Sequence, residues 1–418
     1  MAVFHRLLTD EGQHLLAGLR EYDPGQELAV ATRLRRDHPA ELVSAAIAQA
    51  RLRQRAAAKF GPGDAQRMYF TPDGVEQATR AGVAAYRAGR FAALGVRSVA
   101  DLCCGIGGDA IALARAGIRV LAVDRSPLTC AVARANAGAL GLADRIEVRC
   151  ADVTEVDTGG FDAVFADPAR RGGRGRIFDP EAYSPPLSWA VAAARRAPYA
   201  ALKVAPGIPH EAVPEDAAAE WISDGGDVKE AVLWFGLPAA ERATRATLLP
   251  GPRTLVSTGV PNPPPGPGGP GGTPTPGPGG PVGRYLYEPD GAVVRAHLVA
   301  EVADAVGGRL IDPTIAYVTS DELRPVPYAT AYEITDTLPF NLKRLKALLR
   351  ERGVGTLTVK KRGSAVEPEE LRRRLKPTGP NAATVFLTRV AGAPTTLLGR
   401  PVRPAQDPGQ ARQHRSKG

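Results

Sequence analysis

From residue 1 to about 90, apolar positions recur at helical spacing. The clearest case, "ELVSAAIAQARLRQRAAAKF" (41–60), meets no breaker until "GPG" at 61–63, so a helix is predicted there. "MYFTPDGVEQATRAGVAAYRA" then predicts a turn around Pro72 to Gly74 followed by another helix. Near residue 96 the pattern changes to short buried runs alternating with short helical ones. "RSVADLCC" reads as a strand, "DAIALARAG" as a helix stopped by Gly117, and "IRVLAVD" as a second strand. "SPLTCAVARANAGALGL" follows as a helix with Ser126 as N-cap and Pro127 at the first helical position. "RIEVRCAD", "FDAVFAD", "AALKVAP" and "VKEAVLWFG" continue the series. Such alternation predicts a parallel sheet covered on both faces. Ligands of these sheets bind at the carboxyl ends of strands, where Asp101, Asp124, Asp152 and Asp167 fall.

The pattern lapses at "PNPPPGPGGPGGTPTPGPGGP" (261–281). Such a stretch has nothing to bury and reads as a disordered linker or insertion over 259–283. A connecting segment, 284–329, carries the helical "AHLVAEVADAVGG". A small α/β domain over 330–402 follows, with helices in "NLKRLKALLRERG" and "EPEELRRRLKP" and strands in "VGTLTVKKRG" and "NAATVFLTRVAG". The predicted organisation is thus a helical region (1–90), a sheet domain (91–258), the linker, the connector, the small domain and a disordered tail (403–418).

Charge sharpens this picture at one end. The net charge is +9, and Pro339 to Thr378 alone holds twelve Lys/Arg against four Asp/Glu. Clustered cations are the footprint of a polyanion partner. "NLKRLK", "KKRG" and "RRRLK" share that domain, so Lys343, Arg344, Lys360, Lys361 and Arg362 are candidate contacts to RNA phosphates. No aromatic residues interleave them, which points to recognition by backbone and shape. No apolar run approaches the roughly 20 residues of a membrane span, and the N-terminus lacks a signal-peptide pattern. Four cysteines and six scattered histidines form neither a disulfide framework nor a paired CxxC knuckle. A cytoplasmic protein without a membrane or metal partner is expected.

The chemistry concentrates in "DLCCGIGGDA", 101–110. Gly105 and Gly107 allow a sharp turn and close approach of a ligand to the main chain. A strand, a glycine turn, a helix and an acid about 20 residues on make a nucleoside site; by itself this fits both NAD and S-adenosylmethionine. Asp101 tilts the balance, since a carboxylate repels a pyrophosphate and suits a ligand carrying a sulfonium and an ammonium. Asp124 is placed for a ribose diol and Asp152 for an adenine amino group. The second constellation is "FADPARRGGRGR", 165–176. Its acid–proline pair, Asp167–Pro168, resembles the motif with which nitrogen-directed methyltransferases hold the target amine. The usual aromatic is missing, and Ala169 and Arg170 stand in its region. Arg170 and Arg171 could stack on a base or hold a phosphate. His210, in "PGIPHE", is a possible general base.

"DLCCGIGGDAIALA", with "YFTPDGVEQA" upstream and "DPARR" downstream, resembles the class I S-adenosylmethionine-dependent methyltransferases, and among them a bacterial family with a C-terminal THUMP-like domain. The loop also resembles that of trimethylguanosine synthase, whose turn ends in Asn where this chain has Asp109. "LPFNLKRLKALLRERGVGTLTVKKRG" with "PEELRRRL" is similar to the THUMP-like domain itself. The resemblance implies a Rossmann-like sheet and S-adenosylmethionine as cofactor; the glycine motif together with the clustered charge predicts methylation of a base nitrogen in RNA (tRNA or rRNA). The resemblance also implies Asp101, Gly105, Gly107, Asp124 and Asp152 around the cofactor, with Cys103, Asp109 and Arg125 alongside, and Asp167 with Pro168 at the acceptor. "DPAR" is also similar to the RNA 5-methyluridine enzymes, which need a nucleophilic cysteine on the next strand. This chain has no Cys after Cys150. A methyltransferase acting on a protein or small molecule, an NAD-dependent oxidoreductase and a non-catalytic RNA-binding protein are the alternatives.

Overall fold

The helical spacing at the start of the chain is realised in the computed structural model, which describes residues 2–169, 171–172, 175–176, 179–258 and 281–402. Helices α1 (Ala2–Leu7), α2 (Asp10–Gly18), α3 (Glu27–Leu34) and α4 (Ala40–Phe60) lead to α5 (Pro62–Arg67), α6 (Pro72–Gln77) and α7 (Ala81–Ala93). On α4, Leu42, Val43, Ala46, Ile47, Ala50 and Phe60 form the buried stripe of a helix seated on a core. Its buried polar residues reach the chain that follows. Gln49 exchanges hydrogen bonds of 2.6 and 3.0 Å with the Phe70 backbone, and Arg53 donates to the Met68 carbonyl at 2.9 Å. The expected turn at Pro72 to Gly74 is instead the first turn of α6. Thr71 accepts from the Gly74 amide at 3.0 Å and Pro72 fills the first helical position, so the signals of a helix start outweigh those of a turn. Gly74 is needed for close packing, because a Cβ there would lie 2.5 Å from Ile106 Cγ2 in the glycine loop.

The chain forms two compact units, residues 1–219 with 230–242 and residues 220–229 with 243–418. In the first, β1 (Ser98–Leu102), α8 (Gly108–Arg115), β2 (Arg119–Asp124), α9 (Pro127–Ala139), β3 (Ile146–Cys150) and β4 (Ala163–Ala166) follow in turn. The short pair β5 (Arg171–Gly172) and β6 (Gly175–Arg176) precedes α10 (Leu187–Ala194) and β7 (Tyr199–Val204). The chain then runs through β8 (Ala218–Asp224) into β9 (Asp227–Phe235). The sheet of this unit is ordered β9-β7-β4-β1-β2-β3. Strands β1, β2, β3, β4 and β7 are parallel, as expected, whereas β9 is antiparallel to β7. The exception has a local cause: Gly225 and Gly226 both adopt positive φ and reverse the chain in two residues. Central β1 and β4 are buried at every position, and edge strand β3 is largely open.

The second unit contains β8, β10 (Arg245–Leu249) and β11 (Arg253–Val256), with β10 parallel to β8 and antiparallel to β11. The segment 284–329, expected as a connector, is itself built into a sheet. It supplies β12 (Tyr285–Pro289), α11 (Gly291–Arg295), α12 (Val299–Val306), β13 (Arg309–Asp312) and β14 (Ile315–Ser320). These join β15 (Ala329–Pro339), α13 (Leu342–Glu351), β16 (Val354–Lys361), α14 (Pro368–Leu375), β17 (Asn381–Val390) and β18 (Ala393–Pro401). The seven strands run β13-β14-β12-β15-β18-β17-β16. Leu345 and Leu349 of α13, with Leu371 and Leu375 of α14, pack on Val354, Val385, Leu387 and Leu398. Strands β15 and β18 escaped the sequence reading. Strand β18 is buried at five consecutive positions, Thr395 to Gly399, two of them threonines, so it shows no apolar alternation. The expected linker and tail fall outside the described residues, save for 281–283. No helix among the described residues is long and apolar enough to cross a membrane.

Candidate active site

The turn between β1 and α8 is built from residues in left-handed conformations: Cys103 at φ 65°, Gly105 at 57° and Gly107 at 87°. Glycine reaches that region without a Cβ penalty, and Cys103 occupies it at some cost in strain. The turn is tied down from two sides. Asp124, at the end of β2, accepts from the Gly105 amide at 3.1 Å and from the Ser126 amide at 2.9 Å. Asn136, buried on α9, accepts from the Tyr69 amide at 2.6 Å and donates to the Tyr69 and Ile106 carbonyls at 3.1 and 2.9 Å. The helical region therefore meets the glycine turn directly. Burial, with Asp167, Asp124 and Asp101 nearby, pushes the Cys103 thiol up, and burial does the same to Cys104. Neither thiol is disposed to act as a nucleophile.

The acids expected around the turn divide into open and committed groups. Asp152 is exposed and caps a short turn, accepting from the Thr154 amide and hydroxyl at 2.9 and 2.7 Å; these bonds hold its carboxyl below the ordinary range. Arg125 is exposed and donates to Ser184 Oγ at 3.4 Å. Asp101 was expected at an open strand end, but it is 0% exposed within β1, between Ala122 and Phe165 of the flanking strands. Among the described residues neither of its oxygens has a hydrogen-bond partner, and burial followed by the fields of Asp109 and Asp167 raises its pKa well above the carboxylate range. Asp109, expected at the cofactor, instead turns toward the helical region. Its carboxylate accepts from Thr79 Oγ1 at 2.9 Å and from Arg87, whose cation draws it away from the turn.

Asp167 follows β4, and its amide donates to the Leu102 carbonyl at 3.2 Å, which brings it to the end of β1. Its Oδ2 pairs with Lys203 Nζ at 2.6 Å. Lys203 lies on β7 and is 4% exposed. Its ammonium also donates to Thr79 Oγ1 at 3.0 Å. Burial pulls that ammonium down, but Asp167, Glu230 and Asp109 outweigh the penalty and leave it above its ordinary value. Arg87 continues the network: it pairs with Asp109 and with Glu230 of β9, and lies over the Phe165 ring at 4.5 Å. Thr79, Arg87, Lys203 and Glu230 were missed by sequence reasoning. The available signal was charge inside an otherwise apolar strand: one lysine in "AALKVAP" and an adjacent Lys–Glu pair in "VKEAVLWFG". His210 lies half-buried in a short turn after β7.

Arg170 falls outside the described residues, and of Arg171 only the backbone is described. The remaining cation candidates separate. On α13, Lys343 and Arg344 are exposed and have no carboxylate partner among the described residues; the same holds for Arg350 and for the partly buried Lys346. The "KKRG" cations are committed instead. Lys360 pairs with Glu288 and Lys361 with Glu367, while Arg362 donates to the Ala316 carbonyl and lies over the Tyr317 ring at 5.1 Å. Strand β16 delivers these residues to acidic and aromatic neighbours, so their charge is largely spent within the domain.

A methyltransferase-domain family model matches residues 99–169, a THUMP domain-like model matches 329–401, and a domain of unknown function matches 1–56. An uncharacterized S-adenosylmethionine-dependent methyltransferase of Mycobacterium tuberculosis is 34% identical over 366 residues, covering 85% of this chain and 95% of its own. A 23S rRNA uracil C5-methyltransferase of Acidithiobacillus ferrooxidans is 35% identical over 80 residues, 18% of each chain. A crystal structure from Porphyromonas gingivalis W83, named as a candidate methyltransferase, shares the fold at a TM-score of 0.70 and 22% identity, covering 91% of this chain and all of its own. The site fits the cofactor of these relatives: a bare glycine turn clamped by Asp124, with Asp167 nearby, suits a nucleoside with a cationic centre better than a pyrophosphate. The chain belongs to the S-adenosylmethionine-dependent methyltransferases and carries a THUMP-like domain toward its C-terminal end.

Proposed function

We propose that this methyltransferase acts on a nitrogen of an RNA base, in tRNA or rRNA, and that the THUMP-like domain binds that RNA. The observation carrying the RNA half is α13, where Lys343, Arg344 and Arg350 stand in solvent with no carboxylate partner among the described residues, while Leu345 and Leu349 hold the helix to the core. Free cations on a rigid helix release counterions when they meet phosphates. S-adenosylmethionine supplies an electrophilic methyl group on a sulfonium. The chain supplies position, which is most of what an in-line displacement needs. Asp167 accepts an N–H of the acceptor and the Pro168 carbonyl offers a second acceptor site, so the nitrogen lone pair is aimed. Asp124 orients the glycine turn and the ribose, and Asp152 receives the adenine. With the cofactor bound, the nitrogen would take the methyl as the carbon–sulfur bond breaks, and the surplus N–H proton would pass through Asp167, which accepts that N–H, to water. Carbon-5 chemistry, by which the rRNA relative is named, calls for a nucleophilic cysteine; the strand after Asp167 carries Lys203 and no Cys.

The test is transfer of labelled methyl from S-adenosylmethionine to total RNA from a strain lacking the gene. Wild-type protein is expected to label RNA, and Asp167→Ala to lose about 100-fold or more of the rate. No label in RNA from wild-type protein that binds the cofactor would end the RNA reading.

A further inference from the structure

One chain of hydrogen bonds joins the acceptor acid to the helical region. Lys203 donates to Asp167 Oδ2 at 2.6 Å and to Thr79 Oγ1 at 3.0 Å, and the Thr79 hydroxyl spends its one proton on Asp109 Oδ2 at 2.9 Å. Asp109 is held in turn by Arg87, and Arg87 by Glu230. A hydroxyl that donates in one direction must accept from the other, so Thr79 fixes where the ammonium sits. Arg87, Glu230 and Lys203 are nearly sealed from solvent, which removes the screening and side-chain freedom that make surface pairs weak. Asp167 is different: its side chain keeps 24% exposure, and among the described residues Oδ1 accepts no hydrogen bond. One carboxylate oxygen is thus locked and the other is open.

We propose that Lys203, seated by Thr79, is a positioning residue of the acceptor site: it immobilises one oxygen of Asp167 and leaves the other, in a fixed direction, for the acceptor. This rests on the reading of Asp167 as the acid that holds the acceptor. It also gives the N-terminal helical region a task in methyl transfer, because Thr79 lies between α6 and α7. Without Lys203 the carboxylate can rotate and can be drawn toward Arg87, whose charge it already feels. The cofactor's own contacts, at the glycine turn and Asp124, are left intact.

The experiment uses the full chain, labelled S-adenosylmethionine and whole extract of a strain lacking the gene, fractionated afterwards into RNA, protein and small molecules. Lys203→Met is expected to lower the rate at saturating cofactor about 100-fold, the order expected for an acceptor misplaced by an ångström. Its cofactor affinity should stay that of wild type. Lys203→Arg should restore much of the rate, and Thr79→Val should fall between the two. An unchanged rate in Lys203→Met, or no rescue by Arg with cofactor binding intact, overturns the proposal. If Lys203→Met does not fold, Thr79→Val decides: wild-type rate overturns the proposal, and a reduced rate with intact cofactor binding supports it. Label appearing outside RNA ends the RNA reading but leaves Lys203 to be judged on that fraction. No label in any fraction, with cofactor bound, overturns both.

Discussion

In the methyltransferase unit, Arg87 and Lys203 are buried among Asp109, Glu230 and Asp167; in the THUMP-like domain, Lys343, Arg344 and Arg350 stand in solvent with no partner among the described residues. The buried cations come from α7 and β7, far apart in sequence, and each is meaningful only beside its acids. The exposed ones crowd onto one helix and need no neighbour to explain them. Burial makes a charge expensive unless it is paired, so the first set is tied to its acids within the fold. Exposure leaves a charge available, so the second set suits a partner. "KKRG" is a third condition: near the surface, clustered in sequence, yet spent on Glu288, Glu367 and an aromatic ring.

The largest expected effect comes from breaking the buried set. Arg87→Met strands Asp109 and Glu230 and should cost about 3–5 kcal/mol, read as a lower denaturation midpoint. Adding Asp109→Asn and Glu230→Gln should recover much of that loss, because the penalty belongs to the uncompensated acids. A small loss from Arg87→Met would mean that water reaches the network.

Next comes the exposed set. Replacing Lys343, Arg344, Lys346 and Arg350 together by alanine should reduce the salt slope of RNA binding by about 3, if each meets a phosphate of single-stranded RNA. Thermal stability should hold, since three of these side chains are exposed. Replacing Lys360 and Lys361 should change that slope less, which would separate free cations from committed ones. An unchanged slope in the α13 variant would move the RNA surface elsewhere.

The smallest effect sharpens the contrast from the acid side. Asp101 is buried without a partner, and its folded-state pKa is raised, so the folded protein holds a proton that the unfolded chain releases above about pH 4. Stability tied to this group is therefore present at low pH and lost as pH rises from there toward the folded value. Asp101→Asn should remove that slope and raise the denaturation midpoint near neutral pH. A pH profile identical to wild type would show that Asp101 finds a partner in solution.

Local signals account for what was legible. The Ser126 cap and Pro127 start of α9, the strand–helix alternation and the glycine turn all lie in contiguous residues and carry their own physics. Antiparallel β9 was harder to read, because its apolar run looks the same in either direction; only the Gly225–Gly226 turn reverses it. The acid–proline pair pointed to Asp167 as a candidate, but nothing pointed to its partner Lys203, since a lone lysine in a strand does not announce what it faces.

By itself the sequence determined the sheet domain, the cofactor class and the concentration of charge at the C-terminal end, because periodicity, turn chemistry and clustering are properties of neighbours along the chain. Only the tertiary structure decided which acids stay open and which are consumed. Asp109 turns to Arg87, Asp101 is sealed inside β1, and Lys203 closes on Asp167. Each outcome depends on the free energy of burying a charge beside a residue that folding, not sequence proximity, brings within 3 Å or so.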